Sequence, residues 1–282
     1  MAKKKLSGKE AFEQYYSELY GDRWPILKDS FALESRYFEY KIDGYKSYFL
    51  DCASVIAAIC LPLNNASKIL DLCAAPGGKT LVLASRMEEN AKLISNERSA
   101  ERRNRLLDVI SESLPESINK QISVTPFDGS LACKKYDEAF DAILLDAPCS
   151  SERHVYASPK YLDLWTSSRI KNLSFTQWSL LSSAYLVLKD EGFLLYSTCA
   201  IAEDENDSVI KKLLKKYDSA KNVEIDFDKI YESFAENALF KNGIPHLQIE
   251  KTQFGYQILP DKNDGAGPIY FSLIRKKLIL DN

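Results

Sequence analysis

Lys68-Ile69-Leu70-Asp71-Leu72-Cys73-Ala74-Ala75-Pro76-Gly77-Gly78-Lys79-Thr80 is the stretch whose reading decides the fold. Lys68 to Asp71 has the apolar density of a short buried strand, and Gly77-Gly78 then opens a helix. Small residues between a strand and a helix let backbone N–H groups approach a ligand closely, at a helix end whose dipole favours negative charge. Cys73, Ala74, Ala75, Pro76, Gly77, Gly78 and Lys79 are therefore the candidate cofactor loop. A glycine pair that merely caps a tight turn is the plain alternative, and the small residues and proline beside this pair weigh against it.

Working outward, short apolar runs alternate with longer helical patterns, the signature of βαβ units and a mostly parallel sheet. Lys92 to Ser95 reads as a second strand, followed by a charged helix from Ala100 to Ile110, and Ile122 to Val124 as a third strand. Ala142 to Leu145 is a fourth, ending at Asp146. A helical stretch follows from about Ser167 to Leu188, and Gly192 to Tyr196 is a fifth strand, ending at Ser197-Thr198-Cys199. Gly267 to Ile274 reads as a closing strand. The expected fold is α/β and Rossmann-like, an open, doubly wound sheet whose ligands bind outside the carboxyl ends of the strands. The first 45 or so residues differ, with apolar positions at helical intervals from Ala11 to Tyr20 and a break at Trp24-Pro25. They are expected to form a helical extension over 1–45 packed on a main domain over 46–282.

With 282 residues, 45% of them hydrophobic and 27% charged, the chain can bury a large core. It contains no apolar run of the roughly 18 to 20 residues a membrane span needs. Met-Ala-Lys-Lys-Lys leads into polar sequence rather than the apolar segment of a signal peptide, so a soluble cytoplasmic protein with no membrane contact is expected. Six cysteines are scattered without a C-x-x-C pair, and His154 and His246 are the only histidines, so no disulfide framework and no metal site is expected. A net charge of −3 gives no global case for nucleic-acid binding, and an RNA surface would have to be a local patch. The amino-terminal lysines, the cluster Arg98, Arg102, Arg103 and Arg105, and Arg275-Lys276-Lys277 are the candidates, although each taken singly is ordinarily a solvated face.

Gly77-Gly78-Lys79-Thr80 also resembles the end of a phosphate-binding P-loop, with the strand ending in Asp146 as a magnesium-binding partner. The spacing G-x-x-x-x-G-K-T demands glycine at position 73, where this chain has Cys73, and Pro76 removes an N–H donor from the cradle. A nucleotide triphosphatase thus ranks second. Glu97, just past the second strand, is placed to accept hydrogen bonds from both hydroxyls of a ribose, and Asp128 past the third strand can accept from an adenine amino group. Either alone is ordinarily a turn or cap residue, and together after a glycine loop they favour an adenosine site.

Cys149 and Cys199 each follow an apolar strand, in Asp146-Ala147-Pro148-Cys149 and Ser197-Thr198-Cys199, so a parallel sheet brings both to one rim. Carbon 5 of cytosine is a poor nucleophile. A thiolate adding to carbon 6 makes carbon 5 reactive toward a sulfonium methyl group, and a second group beside the adduct can assist release. Buried hydrophobe is the usual fate of a free cysteine, and it is the expected one for Cys52, Cys60 and Cys133.

These residues resemble the motifs of the Sun-type (Fmu/Nop2-like) RNA 5-methylcytosine methyltransferases, over nearly the whole chain. Tyr48 to Ser54 resembles the segment before the cofactor loop, Asp71 to Thr80 the loop, Asn96-Glu97 with Arg102 the ribose-side motif, and Asp128-Gly129 the adenine-side motif. The pairing of a Pro-Cys with a later Thr-Cys is the most specific element. The resemblance implies a class I methyltransferase with a seven-stranded, mostly parallel sheet, helices on both faces, and S-adenosylmethionine as cofactor. It also implies that Cys199 is the nucleophile, that Cys149 helps resolve the covalent adduct, and that Asp146 contacts the target base, and the cofactor pocket, with Lys79 beside it. The family pattern after Pro-Cys is Ser-Gly, whereas this chain has Ser150-Ser151-Glu152-Arg153-His154. Arg153-His154, Gly21 to Pro25 and the Gly267 to Phe271 ending look most like the mitochondrial small-subunit rRNA branch, which lacks a built-in RNA-binding domain. The implied partner is RNA, small-subunit rRNA ahead of tRNA, met by a monomer with room for an accessory RNA-binding protein. A DNA cytosine methyltransferase would leave Thr198-Cys199 unexplained, and a ribosome-assembly factor that no longer reacts would not need Cys149, Cys199, Asp146 and Lys79 intact.

Overall fold

The computed structural model describes residues 7–234 and 246–278. The amino-terminal lysines at 3–5 lie outside the described residues. The described chain opens with α1 (Gly8–Tyr20) and α2 (Trp24–Ser30), then an antiparallel hairpin of β1 (Tyr37–Tyr40) and β2 (Tyr48–Asp51), then α3 (Cys52–Ile59). Next come β3 (Lys68–Asp71), α4 (Gly78–Ala84), β4 (Lys92–Asn96), α5 (Ala100–Ser113), α6 (Glu116–Asn119), β5 (Ile122–Thr125), α7 (Ala132–Lys135) and β6 (Phe140–Asp146). They are followed by α8 (Glu152–Ala157), α9 (Pro159–Asp163), α10 (Ser167–Val187), β7 (Leu188–Thr198) and α11 (Asp207–Lys216). The last elements are β8 (Ala220–Val223), α12 (Phe227–Phe234), β9 (Glu250–Lys251), β10 (Tyr256–Ile258) and β11 (Ile269–Lys276).

The main sheet runs β5-β4-β3-β6-β7-β11-β10-β9, with β8 also paired to β11. Strands β5, β4, β3, β6 and β7 are mutually parallel, as the alternating pattern predicts, while β11 and the strands beyond it pair antiparallel. Side-chain parity separates two cores. Ile69, Leu93, Leu144, Leu195 and Phe271 face α3, α4 and α5, while Leu70, Ile143, Leu194, Tyr196 and Tyr270 face α10 and α11. Both faces are buried, which is why these strands read as apolar runs.

Among the described residues the sheet has nine strands rather than the expected seven. The strands that the sequence did not signal are β8, β9 and β10, which are only four, two and three residues long, too short for a legible pattern of their own. They exist because β11 and β10 offer them backbone partners. Helix ends at Ser30 within the first 45 residues, and the β1–β2 pairing runs across residue 45.

An aromatic cluster seats α1 and α2 on the segment after the Pro-Cys. The Phe12 ring lies 4.7 Å from Tyr16, 5.7 Å from Trp24 and 5.4 Å from Trp165, and all four side chains are buried. Rings at these tilted separations add quadrupole attraction to their burial. Truncating Phe12, fully buried at the centre, leaves a cavity walled by rings that cannot collapse into it. Phe12→Ala is expected to lower unfolding stability by about 3–5 kcal/mol in a denaturant titration; a loss below about 1 kcal/mol would show that the extension is not integral to the fold.

Candidate active site

The strand order reverses between β3 and β6, and the carboxyl ends of β3, β4, β6 and β7 surround a cavity of about 780 Å³ at that point. Cys73, Ala75, Pro76, Lys79, Glu97, Arg102, Asp128, Gly129, Asp146, Cys149 and Cys199 all line it. Ala74 and Gly78 line instead a smaller hollow of about 200 Å³ behind the loop, against Tyr48 to Asp51, and Gly77 lines neither. Gly77 has φ +120°, and a Cβ there would come within 2.9 Å of Val109 on α5. At Gly78 a Cβ would come within 2.9 Å of Tyr48. The glycine pair thus makes room for α5 and the hairpin, and Cys73, Ala75 and Pro76 are what the loop presents to the cavity.

Hydrogen bonds hold the strand ends in position. Asp71 is fully buried and accepts from Thr80 Oγ1 at 2.6 Å, tying the strand to the first turn of α4; burial pushes its carboxyl up to about 7. Asn96 donates to the carbonyls of Leu72 and Phe127 and accepts from the Phe127 amide and Thr125 hydroxyl, locking three strand ends together. Beside it Glu97 is buried. Its Oε1 accepts from the Ser99 amide, and its Oε2 accepts no hydrogen bond, facing Arg102 only as an ion pair at 3.3 Å. Arg102 also donates to the Ala75 carbonyl at 2.7 Å. Asp128 accepts from Ser130 and Arg98; the Ser130 hydroxyl is the main reason its carboxyl is held below the usual range.

On the opposite wall Lys79 donates to Asp146 at 2.8 Å and to Ser54 at 3.2 Å, and Ser197 donates to the other oxygen of Asp146 at 2.8 Å. Burial pulls the Lys79 ammonium down, but Asp146 outweighs it, and the net displacement is upward. Lys79 is therefore a fixed positive charge beside the cysteines. Cys149 Sγ and Cys199 Sγ lie 2.9 Å apart, both free, with Cys199 exposed. The Ser151 hydroxyl reaches Cys199 Sγ at 3.1 Å and Cys149 Sγ at 3.5 Å. The contact from Cys149, reinforced by Ser151, lowers the Cys199 thiol, while the same contact and burial push Cys149 well up. Cys199 is thus the more acidic of the two thiols and Cys149 the less acidic.

Sequence reasoning missed the residues that hold these loops. Glu205 accepts from the Ser150 amide at 3.0 Å and from Gln177 at 2.7 Å, while Gln177 also donates to the Pro148 carbonyl. Glu152, fully buried, accepts from Tyr16, Ser150 and the Ile201 amide. Thr198 donates to Asn206 at 2.7 Å, and Asn206 donates to the Ala200 carbonyl. Burial pushes both carboxyls up, Glu205 to about 7. The acidic run Glu203 to Asp207, shortly after the Thr-Cys, was the available signal for Glu205. Ser151, where the family pattern has glycine, sits at φ +53°, a conformation glycine adopts freely. Arg153 spans the carbonyls of Phe31, Gly265 and Gly267, a staple between the two ends of the chain. His154 packs against Tyr161 at 5.4 Å and lines a further cavity of about 490 Å³ with Ser54, Ser151 and Cys199. Cys52 and Cys60 are buried as expected, but Cys133 is exposed, because α7 lies on the surface.

Residues 58–272 match the family described as 16S rRNA methyltransferase RsmB/F. The mitochondrial tRNA (cytosine(34)-C(5))-methyltransferase of Danio rerio is 30% identical over 231 residues, 81% of this chain and 60% of that one. Ribosomal RNA small subunit methyltransferase F of Citrobacter koseri is 35% identical over 194 residues, 68% of this chain and 39% of that one. The chain thus spans about 60% and about 40% of the lengths of these two relatives. Among solved structures, a methyltransferase homologue protein from Pyrococcus horikoshii superposes with a TM-score of 0.67 over 95% of this chain and 94% of its own, at 20% identity. NSun6 from the same organism, solved with SFG, gives 0.64 over 83% and 54%, at 22% identity. These two likenesses establish the fold.

The thiol contacts have a measurable consequence. Each hydrogen bond to Cys199 stabilises its thiolate, so removing a donor must raise the pH at which it reacts. In a pH series of iodoacetamide alkylation read by mass spectrometry, the Cys199 midpoint should move upward in Ser151→Ala and further in Cys149→Ala. Identical profiles in all three proteins would contradict the contact.

Proposed function

This chain belongs to the 16S rRNA methyltransferase RsmB/F family, and from that premise we propose that it methylates carbon 5 of cytosine in RNA, using S-adenosylmethionine, with Cys199 as nucleophile. The observation that carries the reading is the pair of sulfurs 2.9 Å apart, the outer one lowered, on a cavity that also holds Glu97 and Asp128.

The cofactor fits the residues present. Buried Glu97 Oε2 lacks a hydrogen-bond donor, a deficit a ribose hydroxyl would relieve, and Asp128 has lone pairs left for an adenine amino group. Cys73, Ala75, Pro76 and Arg102 complete its wall, with Gly129 and Asp146 beside it. When bound, S-adenosylmethionine supplies an electrophilic methyl group. Lys79 and Ser197 hold Asp146 so that it can accept from the exocyclic amino group of a cytosine. Cys199 Sγ then bonds to carbon 6, and the electron pair of the 5,6 double bond moves to carbon 5, which becomes nucleophilic. After methylation a base takes the proton from carbon 5, the double bond re-forms and the sulfur leaves; Cys149, protonated beside Cys199, assists that departure. The cavity of about 490 Å³ meets the larger one at Cys199, Ser54 and Ser151, which supports entry of the base from the side opposite the cofactor. We assign the reaction chemistry to 46–282 and the seating of the Pro-Cys segment to α1 and α2 of the 1–45 extension. Small-subunit rRNA is the favoured substrate ahead of tRNA, and the protein works as a cytoplasmic monomer with an accessory RNA-binding protein as a further partner.

Cys199→Ala should lower methylation of RNA by on the order of 10³-fold or more while S-adenosylmethionine still raises the melting temperature. Cys149→Ser should accumulate a protein–RNA adduct that survives a denaturing gel. A Cys199→Ala enzyme of normal rate would end the assignment. Cofactor at about a hundred times its Kd should add about 2.7 kcal/mol of stability; stabilisation by ATP with magnesium instead would favour a triphosphatase.

A further inference from the structure

Among the described residues, most cations of the clusters that stand out in the sequence are engaged locally in the fold. Arg98 pairs with Asp128 and Arg102 with Glu97, while Arg103 is turned onto the carbonyls of Glu97 and Arg98. Arg275 pairs with Glu191, and Lys276 with Glu138 and Asp190. The surface formed by α10 and α11 is different. Neither 167–187 nor 208–217 contains an aspartate or glutamate. Arg169, Lys171, Lys211, Lys212, Lys215 and Lys216 are all exposed there, and none pairs with a carboxylate among the described residues.

Aromatic rings are set among these charges. Lys212 Nζ lies 4.4 Å from the centroid of the Trp178 ring and 5.8 Å from that of Phe175, and Lys216 Nζ 5.4 Å from Trp178. Phe175 is 55% exposed. The surface also connects to the reaction cleft. Thr176, on the cleft wall, is shared with a polar hollow of about 470 Å³ that contains Arg169, Ser168 and Asn172, the donor types that contact phosphate oxygens. A cluster of cations on helix stretches that carry no acidic residue, with an exposed ring among them and on a chain whose net charge is −3, complements a single-stranded phosphodiester with bases able to stack.

We infer that the α10–α11 face is the docking surface for the RNA strand flanking the target cytosine, with the four lysines of α11 and Arg169 on phosphates and Phe175 under a base. The inference rests on RNA being the substrate and adds where the RNA lies.

The test uses the full chain and a labelled oligouridylate, with affinity measured by fluorescence anisotropy across a salt series. One variant replaces Lys211, Lys212, Lys215 and Lys216 by Gln, and a second is Phe175→Ala. The lysine variant should lose at least about tenfold in affinity at moderate salt, and its slope of log K against log salt should flatten by roughly 0.7 for each phosphate contact removed. Phe175→Ala should weaken binding several-fold at unchanged slope. Both should keep the wild-type melting temperature, cofactor response and Cys199 alkylation profile. Unchanged affinity and slope in both variants would overturn this inference alone, whereas a wild-type chain that binds no RNA would overturn the substrate reading with it. If polyglutamate is bound by the wild type and lost by the lysine variant while oligouridylate binding is untouched, the face docks an acidic protein and the inference falls.

Discussion

The parallel register of β6 on β7 is the constraint from which the site follows. Asp146 stands opposite Ser197, the Ala147 amide donates to the Ser197 carbonyl at 2.8 Å, and the Ser197 hydroxyl donates to Asp146. Two segments fifty residues apart therefore leave the sheet side by side, one leading to Cys149 and the other to Cys199. Side-chain parity protects this alignment. A slip of one residue would turn Leu194 and Tyr196 away from α10 and α11 and put Leu195 in their place. The apolar cores on the two faces thus hold two sulfurs at a distance that no local feature of either loop determines.

Beyond the last paired residue, buried polar groups take over from the apolar core. Glu205 and Glu152 sit beneath the two cysteine loops with their carboxyls pushed up by burial, and they accept from the backbone of both. Such groups cost stability unless hydrogen-bonded, and the bonds they make to both loops leave few alternatives to the observed loop path. Asp71 with Thr80 and Asn96 with its four partners do the same on the cofactor side. Rigid strand ends and loops tied down by such bonds are what a thiol needs if its contacts are to tune its acidity rather than average away.

Charge is distributed by the same logic. The arginines of α5 nearest the cavity and the cations of β11 are spent on local carboxylates and carbonyls, which leaves the α10–α11 face as a continuous stretch of unpaired positive charge. Helix α10 serves both places: Leu180 and Thr176 line the cleft while Phe175 and Trp178 look outward among lysines.

From sequence alone, the five parallel strands, the loop from Cys73 to Lys79 and the residues at strand ends were legible, because buried strands announce themselves as apolar runs and a tight strand-to-helix turn as small residues. Glu97, Asp128, Asp146, Cys149 and Cys199 were found for the same reason: each lies at the end of a strand or within three residues of it. Strands β8, β9 and β10, the β1–β2 hairpin, the buried glutamates and the hydroxyl of Ser151 against Cys199 were decided only by the tertiary structure. Each depends on a partner far along the chain, and pairings such as Arg275 with Glu191 likewise decide which cations remain free. Local periodicity reports which side of an element is buried; it carries no information about which distant group meets it there.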